Sequence, residues 1–83
     1  MTDAELDRYC LDIWQRAGVS ANPGAALFKA WKAALLSGRY LGRPEEPEHL
    51  TEDGRYYVQA FAGTILHCAT SDYVVREGLP ALS

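Results

Sequence analysis

Two prolines and a glycine fall within residues 41–50, Leu-Gly-Arg-Pro-Glu-Glu-Pro-Glu-His-Leu. Proline has no backbone N–H to give to a helix interior or a central strand, and its ring clashes with the preceding helical turn. The stretch should therefore be an ordered or semi-ordered loop, and it divides the sequence into two textures. Ahead of it, apolar residues recur at helical spacing. Behind it, β-branched and aromatic residues come in short runs. With 83 residues there is room for one domain and no second core. Apolar residues make up 48% and charged residues 23%, which supplies a core and excludes a chain disordered throughout. No apolar run approaches the roughly 18–20 residues of a membrane-spanning helix.

The first half predicts two helices. Thr2 and Glu5 have the spacing of a capping box. Leu6, Tyr9, Cys10, Ile13, Trp14 and Ala17 follow at i, i+3, i+4, i+7, i+8 and i+11, one stripe over about four turns. Asp3, Asp7, Arg8, Asp12, Gln15 and Arg16 take the wet face, and Gly18 suits a left-handed stop. A second helix is expected from Asn22-Pro23, with Asn22 accepting early backbone N–H groups and Pro23 at the first helical position. Its stripe is Leu27, Phe28, Trp31, Ala34 and Leu35, its water-facing residues are Lys29 and Lys32, and Ser37-Gly38 ends it. The short connection at 18–21 predicts a helical hairpin.

Beyond the proline-bearing stretch, Asp53-Gly54 signals a tight turn. Tyr56-Tyr57-Val58 and Tyr73-Val74-Val75 favour strands. Ala62-Gly63 is placed as a hairpin turn, and Ala69-Thr70-Ser71-Asp72 as a second turn. The expectation is a three-stranded antiparallel meander at about 55–61, 64–68 and 73–77. Phe61 should pair with Ile65 across a turn in which Gly63 supplies a positive φ. The whole is an α+β domain spanning 1–83: a helical hairpin (1–38), a Pro-rich acidic loop (39–54) and the meander (55–79). Trp14, Phe28, Trp31 and Phe61 should form the shared core.

Charge and cysteine usage narrow the chemistry. The net charge is −3. Residues 1–40 carry five basic and four acidic side chains, and residues 41–83 carry three and seven. No basic stripe offsets that acidic half, so nucleic acid is not an expected partner. Cys10 and Cys68 lie on apolar faces and read as small buried hydrophobes, although a single bond between them stays open. His67 and Cys68 are neighbours on a strand and point to opposite faces, so they cannot act as a thiolate–imidazole pair. His49, His67, Cys10 and Cys68 lack the close spacing of a zinc site. Glu45, Glu46 and Glu48 lie in a loop that would hold a catalytic acid pair poorly. Gly54 and Gly63 are isolated turn glycines, not a phosphate cradle. No enzyme, metal or cofactor is expected. The N-terminal residues lack a basic region followed by an apolar one, so no signal peptide is expected, and the location would be cytoplasmic or phage-released.

One ordered set of residues carries a resemblance. Leu41-Gly42-x-Pro44-x-x-x-Glu48, Asp53-Gly54-Arg55-Tyr56, Gln59-x-Phe61-x-Gly63-x-Ile65, and Ala69-Thr70 with Val75 together resemble a single LGFP repeat across about residues 38–79. The family's double glycine is a single Gly63 here, its tryptophan after the Ile strand is His67, and its glycine after Ala-Thr is Ser71. Family repeats usually come in tandem. Ala30-Trp31-Lys32-Ala33-Ala34, followed by Gly-x-Tyr-Leu-Gly-x-Pro, also resembles modules attached to actinobacterial and phage cell-wall proteins. The resemblance implies a non-catalytic binding module associated with the cell envelope, with peptidoglycan or with a phage lysis system.

On the residues themselves, Leu41, Gly42, Pro44, Glu48, Phe61, Gly63 and Ile65 have structural roles in prospect. Leu41 and Pro44 would pack the loop on the sheet, and Glu48 would pin it by accepting backbone hydrogen bonds. Tyr40, Arg43, Tyr56 and His67 are the candidate ligand-binding residues, since aromatic rings stack on sugar faces and Arg forks onto carboxylates. The expected partner is a cell-wall glycan or peptide. The alternative is a host protein, bound and inhibited by a small phage- or mobile-element-encoded intracellular protein.

Overall fold

The computed structural model describes residues 2–80. Its first helix, α1, runs Asp3–Arg16. The Thr2 hydroxyl accepts from the Glu5 backbone N–H at 3.2 Å and donates to the Glu5 carboxylate at 3.1 Å, so the box closes through the hydroxyl. Gly18 stops the helix at φ 77, with Val19 N–H donating back to the Trp14 carbonyl at 3.1 Å. Leu6, Cys10 and Trp14 are buried, while Ile13 and Ala17 are half-buried. Tyr9 is 52% exposed, so the buried line is narrower than the stripe, as befits a helix that packs along one side only.

The second helix, α2, is Ala26–Leu36 and begins later than Asn22-Pro23. The Asn22 side chain accepts from the Gly24 N–H at 3.0 Å and the Asn22 carbonyl accepts from the Ala25 N–H at 2.9 Å. Asn22 thus closes a local turn rather than capping the helix. Ala25 is left as the N-cap, and no side chain caps α2. Leu27, Phe28 and Trp31 are buried. The helices run antiparallel as a hairpin: Asp7 near the start of α1 pairs with Lys32 late in α2, while Trp14 late in α1 meets Phe28 early in α2. Lys32 is half-buried by that pairing, not turned to water.

The sheet is antiparallel with sequential order and has four strands: β1 His49–Leu50, β2 Tyr56–Ala60, β3 Ile65–Ala69 and β4 Val75–Glu77. The α+β arrangement with helices first stands as expected. The extra strand lies inside the stretch expected as a loop, where β1 pairs with the outer edge of β2. Pro44 also bridges Phe61, with Glu45 N–H donating to the Ala60 carbonyl and Ala62 N–H to the Arg43 carbonyl. These are edge positions, which proline tolerates. The register pairs Ile65 with Ala60, so Phe61 does not face Ile65. Phe61 instead turns into the core.

Alternation puts Tyr57, Gln59, Phe61, Leu66, Cys68 and Val75 on one sheet face, beneath the helices. The core joins Leu6, Cys10 and Trp14 to Leu27, Phe28 and Trp31 and to Leu41, Phe61, Leu66 and Cys68. Trp14 is its centre. Phe28, Trp31 and Phe61 meet its ring edge-on at 5.1, 5.9 and 5.6 Å between centroids.

The repeat-like motif residues hold this frame together. The Trp31 indole N–H donates to the Gly42 carbonyl at 2.8 Å, which ties α2 to the loop. Pro44 and Leu41 are buried. Gly63 does not have a positive φ; it is Gly42 that does, at 93°. Gly63 is needed for space, because a Cβ there would stand 2.9 Å from the Leu41 carbonyl oxygen. Glu48 is exposed and does not pin the loop. Gln59, 1% exposed, does so by donating from Nε2 to the Glu46 carbonyl at 2.9 Å. Thr70 donates its hydroxyl to the Gly54 carbonyl at 3.0 Å, which fastens the Asp53-Gly54 turn to the end of β3.

Candidate functional site

The four residues singled out for ligand binding are not brought together. Tyr40 follows α2, 56% exposed, with its ring edge-on to Trp31 at 6.0 Å. Arg43 is exposed beside the Ala62-Gly63 turn. Tyr56 and His67 share the sheet face turned away from the helices, with ring centroids 5.7 Å apart. His67 is 7% exposed, and its Nδ1 lies 2.7 Å from the Gly78 carbonyl. That contact gives the imidazole a structural partner.

A different place has the geometry of a site. An open cleft of about 440 Å³ lies between the start of α2 and the helix-facing side of the sheet. Ala25 and Ala26 form one wall, Tyr57 and Tyr73 the aromatic surfaces, and Lys29 and Glu48 the charged rim. That volume is in the range of small-ligand sites. A groove of equal size beside Leu11 and Val19 offers no aromatic ring and no charge.

Each wall follows from local sequence. The Asn22 side chain is taken up by its own turn, and among the described residues no side chain caps α2, so its first-turn N–H groups are left without a capping partner. Tyr57 stands on the helix-facing side of β2 opposite Cys68. Tyr73 sits at φ 55, the one non-glycine residue with positive φ among the described residues. The turn that forces it is closed by Tyr73 N–H to the Ala69 carbonyl at 2.8 Å and Val74 N–H to the Asp72 carboxylate at 2.9 Å. A bulky residue in the left-handed region is strained, and here the strained residue is 57% exposed and lines the cleft.

Beside the cleft lies a second, narrower recess of about 20 Å³, room for one water-sized particle. Ala25 and Glu48 border both spaces. Trp14, Phe28 and Gln59 line the inner one. Trp14 is 3% exposed, and its indole N–H is a buried donor with no partner among the described residues.

Cys10 and Cys68 are both free thiols. Burial pushes Cys68 above its ordinary value, with the Glu48 carboxylate adding to the rise, and burial likewise raises Cys10. A thiol held protonated is a poor nucleophile at neutral pH. Among the described residues, no three His, Cys, Asp or Glu side chains are grouped to hold a metal ion, and no helix is long and apolar enough to cross a membrane.

Sequence reasoning did not single out Tyr57, Tyr73 or Lys29, which line this cleft. The one usable signal was Asn22 followed two residues later by Gly24, which marks a side-chain-closed turn and hence a helix left uncapped. No protein-family model matches the chain, and no curated protein or solved structure matches it either. The likeness to LGFP repeats therefore rests on the residues quoted for it.

Proposed function

We propose that this domain is a non-catalytic binding module that takes cell-envelope glycan or peptide, in the manner its LGFP-like half implies, as part of a wall-associated or phage lysis system. The observation that carries the reading is the cleft between the start of α2 and the sheet. Tyr57 and Tyr73 offer flat apolar faces of the kind that stack on sugar rings, and Lys29 offers a cation to the carboxylates of wall peptides. The motif residues Gly42, Pro44, Gln59, Phe61 and Thr70 act as framework, which leaves ligand contact to the residues around the cleft.

The test is retention on purified actinobacterial cell walls. The wild-type domain is expected to sediment with the walls, and Tyr73→Gly to remain in solution. That substitution suits the purpose because glycine accepts φ 55 without strain, so folding should be preserved or improved while the ring is lost. Absence of retention for the wild type would overturn the reading. Recovery of a single stoichiometric host protein from lysate in place of wall material would favour the alternative, a small intracellular inhibitor of that host protein.

A further inference from the structure

The geometry points to a carboxylate-binding pocket at the start of α2, in which an acid group entering from the Tyr57–Tyr73 cleft is received by the uncapped helix N-terminus and by the Trp14 indole N–H. The inference rests on the binding reading above and names the chemical group that its ligand would present.

Two independent observations converge on the same few residues. The first is α2 itself, 11 residues long, with Ala25 as N-cap and no side chain on its first-turn amides. Unbonded N–H groups and the helix dipole together favour an anion at that end. The second is Trp14 Nε1, an indole donor in a residue 3% exposed, with no partner among the described residues. A buried donor left unpaired is costly, so native proteins rarely keep one without a use. Trp14 lines the narrow inner recess together with Phe28, which belongs to the first turn of α2, and Ala25, its N-cap. The outer cleft shares Ala25 and adds Lys29. Residues that carry free donors therefore border the junction from two separate elements, and Lys29 lines the adjoining cleft. The inner space admits one small atom and the cleft admits the rest of a molecule. A carboxylate fits that division, with an oxygen inward and the organic body between the tyrosines.

One group opposes the anion. Glu48 borders both spaces, and its carboxylate would repel another held nearby. This opposition gives the inference a signature that a merely structural cavity lacks. Neutralising Glu48 should tighten the binding of an acid and leave the binding of a neutral analogue unchanged.

The experiment is an ¹H–¹⁵N titration of the full domain with N-acetylalanine and, separately, with its neutral amide. The expected result is a saturable shift of the Trp14 indole N–H and of the Leu27 and Phe28 amides with the acid only. Glu48→Gln should bind the acid roughly fivefold more tightly, the effect of removing one like charge at contact distance in a wet setting. Equal shifts with acid and amide, or no saturable shift at the indole, would overturn the inference and leave an ordered water as the indole's partner. The two proposals fail separately. If walls retain the domain while the indole ignores the acid, the pocket assignment is wrong and the binding reading stands. If the acid saturates the indole while walls retain nothing, the pocket stands and the wall reading falls.

Discussion

Gly42 and Gly63 meet where a side chain would have no room. A Cβ on Gly42 would lie 2.7 Å from the Gly63 backbone nitrogen and 2.8 Å from the Ala62 Cβ, and Gly42 also has φ 93. Strain and collision therefore act together there. Gly18 has φ 77 but open space around it, so only the conformational strain applies. Gly42→Ala should lower stability by at least ~2 kcal/mol and Gly18→Ala by about 1 kcal/mol, read from urea midpoints. Equal losses would mean that the contact with the 62–63 turn does not matter. The same pair shows what a sequence reveals at this scale. Both glycines were legible as special positions, but a glycine letter does not say whether it is needed for its φ or for its missing Cβ. Gly63, expected for the first reason, serves the second. Trp14, Phe28, Trp31 and Phe61 were legible as core, because large aromatics in so short a chain have nowhere else to go.

At the scale of elements, long periodic segments read well and short ones did not. α1 was visible from its capping box to its terminal glycine, since each signal agreed with the next. β2 and β3 were placed to within a residue or two. β1 has two residues, too few for any alternation, and it exists only because β2 offers it an edge. The start of α2 was misplaced because Asn22 can cap a helix or close a turn, and Gly24 tips it to the turn. One tie between elements was invisible in the sequence. Arg39, just past α2, forms a two-pronged ion pair with Glu77 at the end of β4, one prong measuring 2.8 Å. Hydrogen bonding from Arg39 holds the Glu77 carboxyl below its ordinary value, and the Thr64 hydroxyl adds to this. A carboxylate depressed in the folded state contributes stability above its unfolded pKa and loses it as pH falls through the folded one. Solvent screens this exposed pair, so the effect should be small. The Glu77 side-chain ¹³C titration midpoint should lie below the usual glutamate value in the wild type and return toward it in Arg39→Met. An unchanged midpoint would show that the pair does not persist in solution.

For the whole molecule, the two textures on either side of the prolines form one unit, because Trp14 gathers rings from α2 and from the sheet around itself. The cleft is a product of that union. Its walls come from the turn before α2, from β2 and from the β3–β4 turn, segments separated by tens of residues. Nothing local in the sequence announces such a meeting, which is why the residues first favoured for binding, Tyr56 and His67, lie on the opposite face of the sheet. The most direct measurement is therefore a map of where a ligand touches. Soluble peptidoglycan fragments titrated into the ¹⁵N-labelled domain should perturb the amides of Ala25, Ala26, Lys29, Tyr57 and Tyr73 as one contiguous patch. Perturbation confined to Tyr56, His67 and their neighbours on the outer face, or none at saturating fragment, would contradict the account.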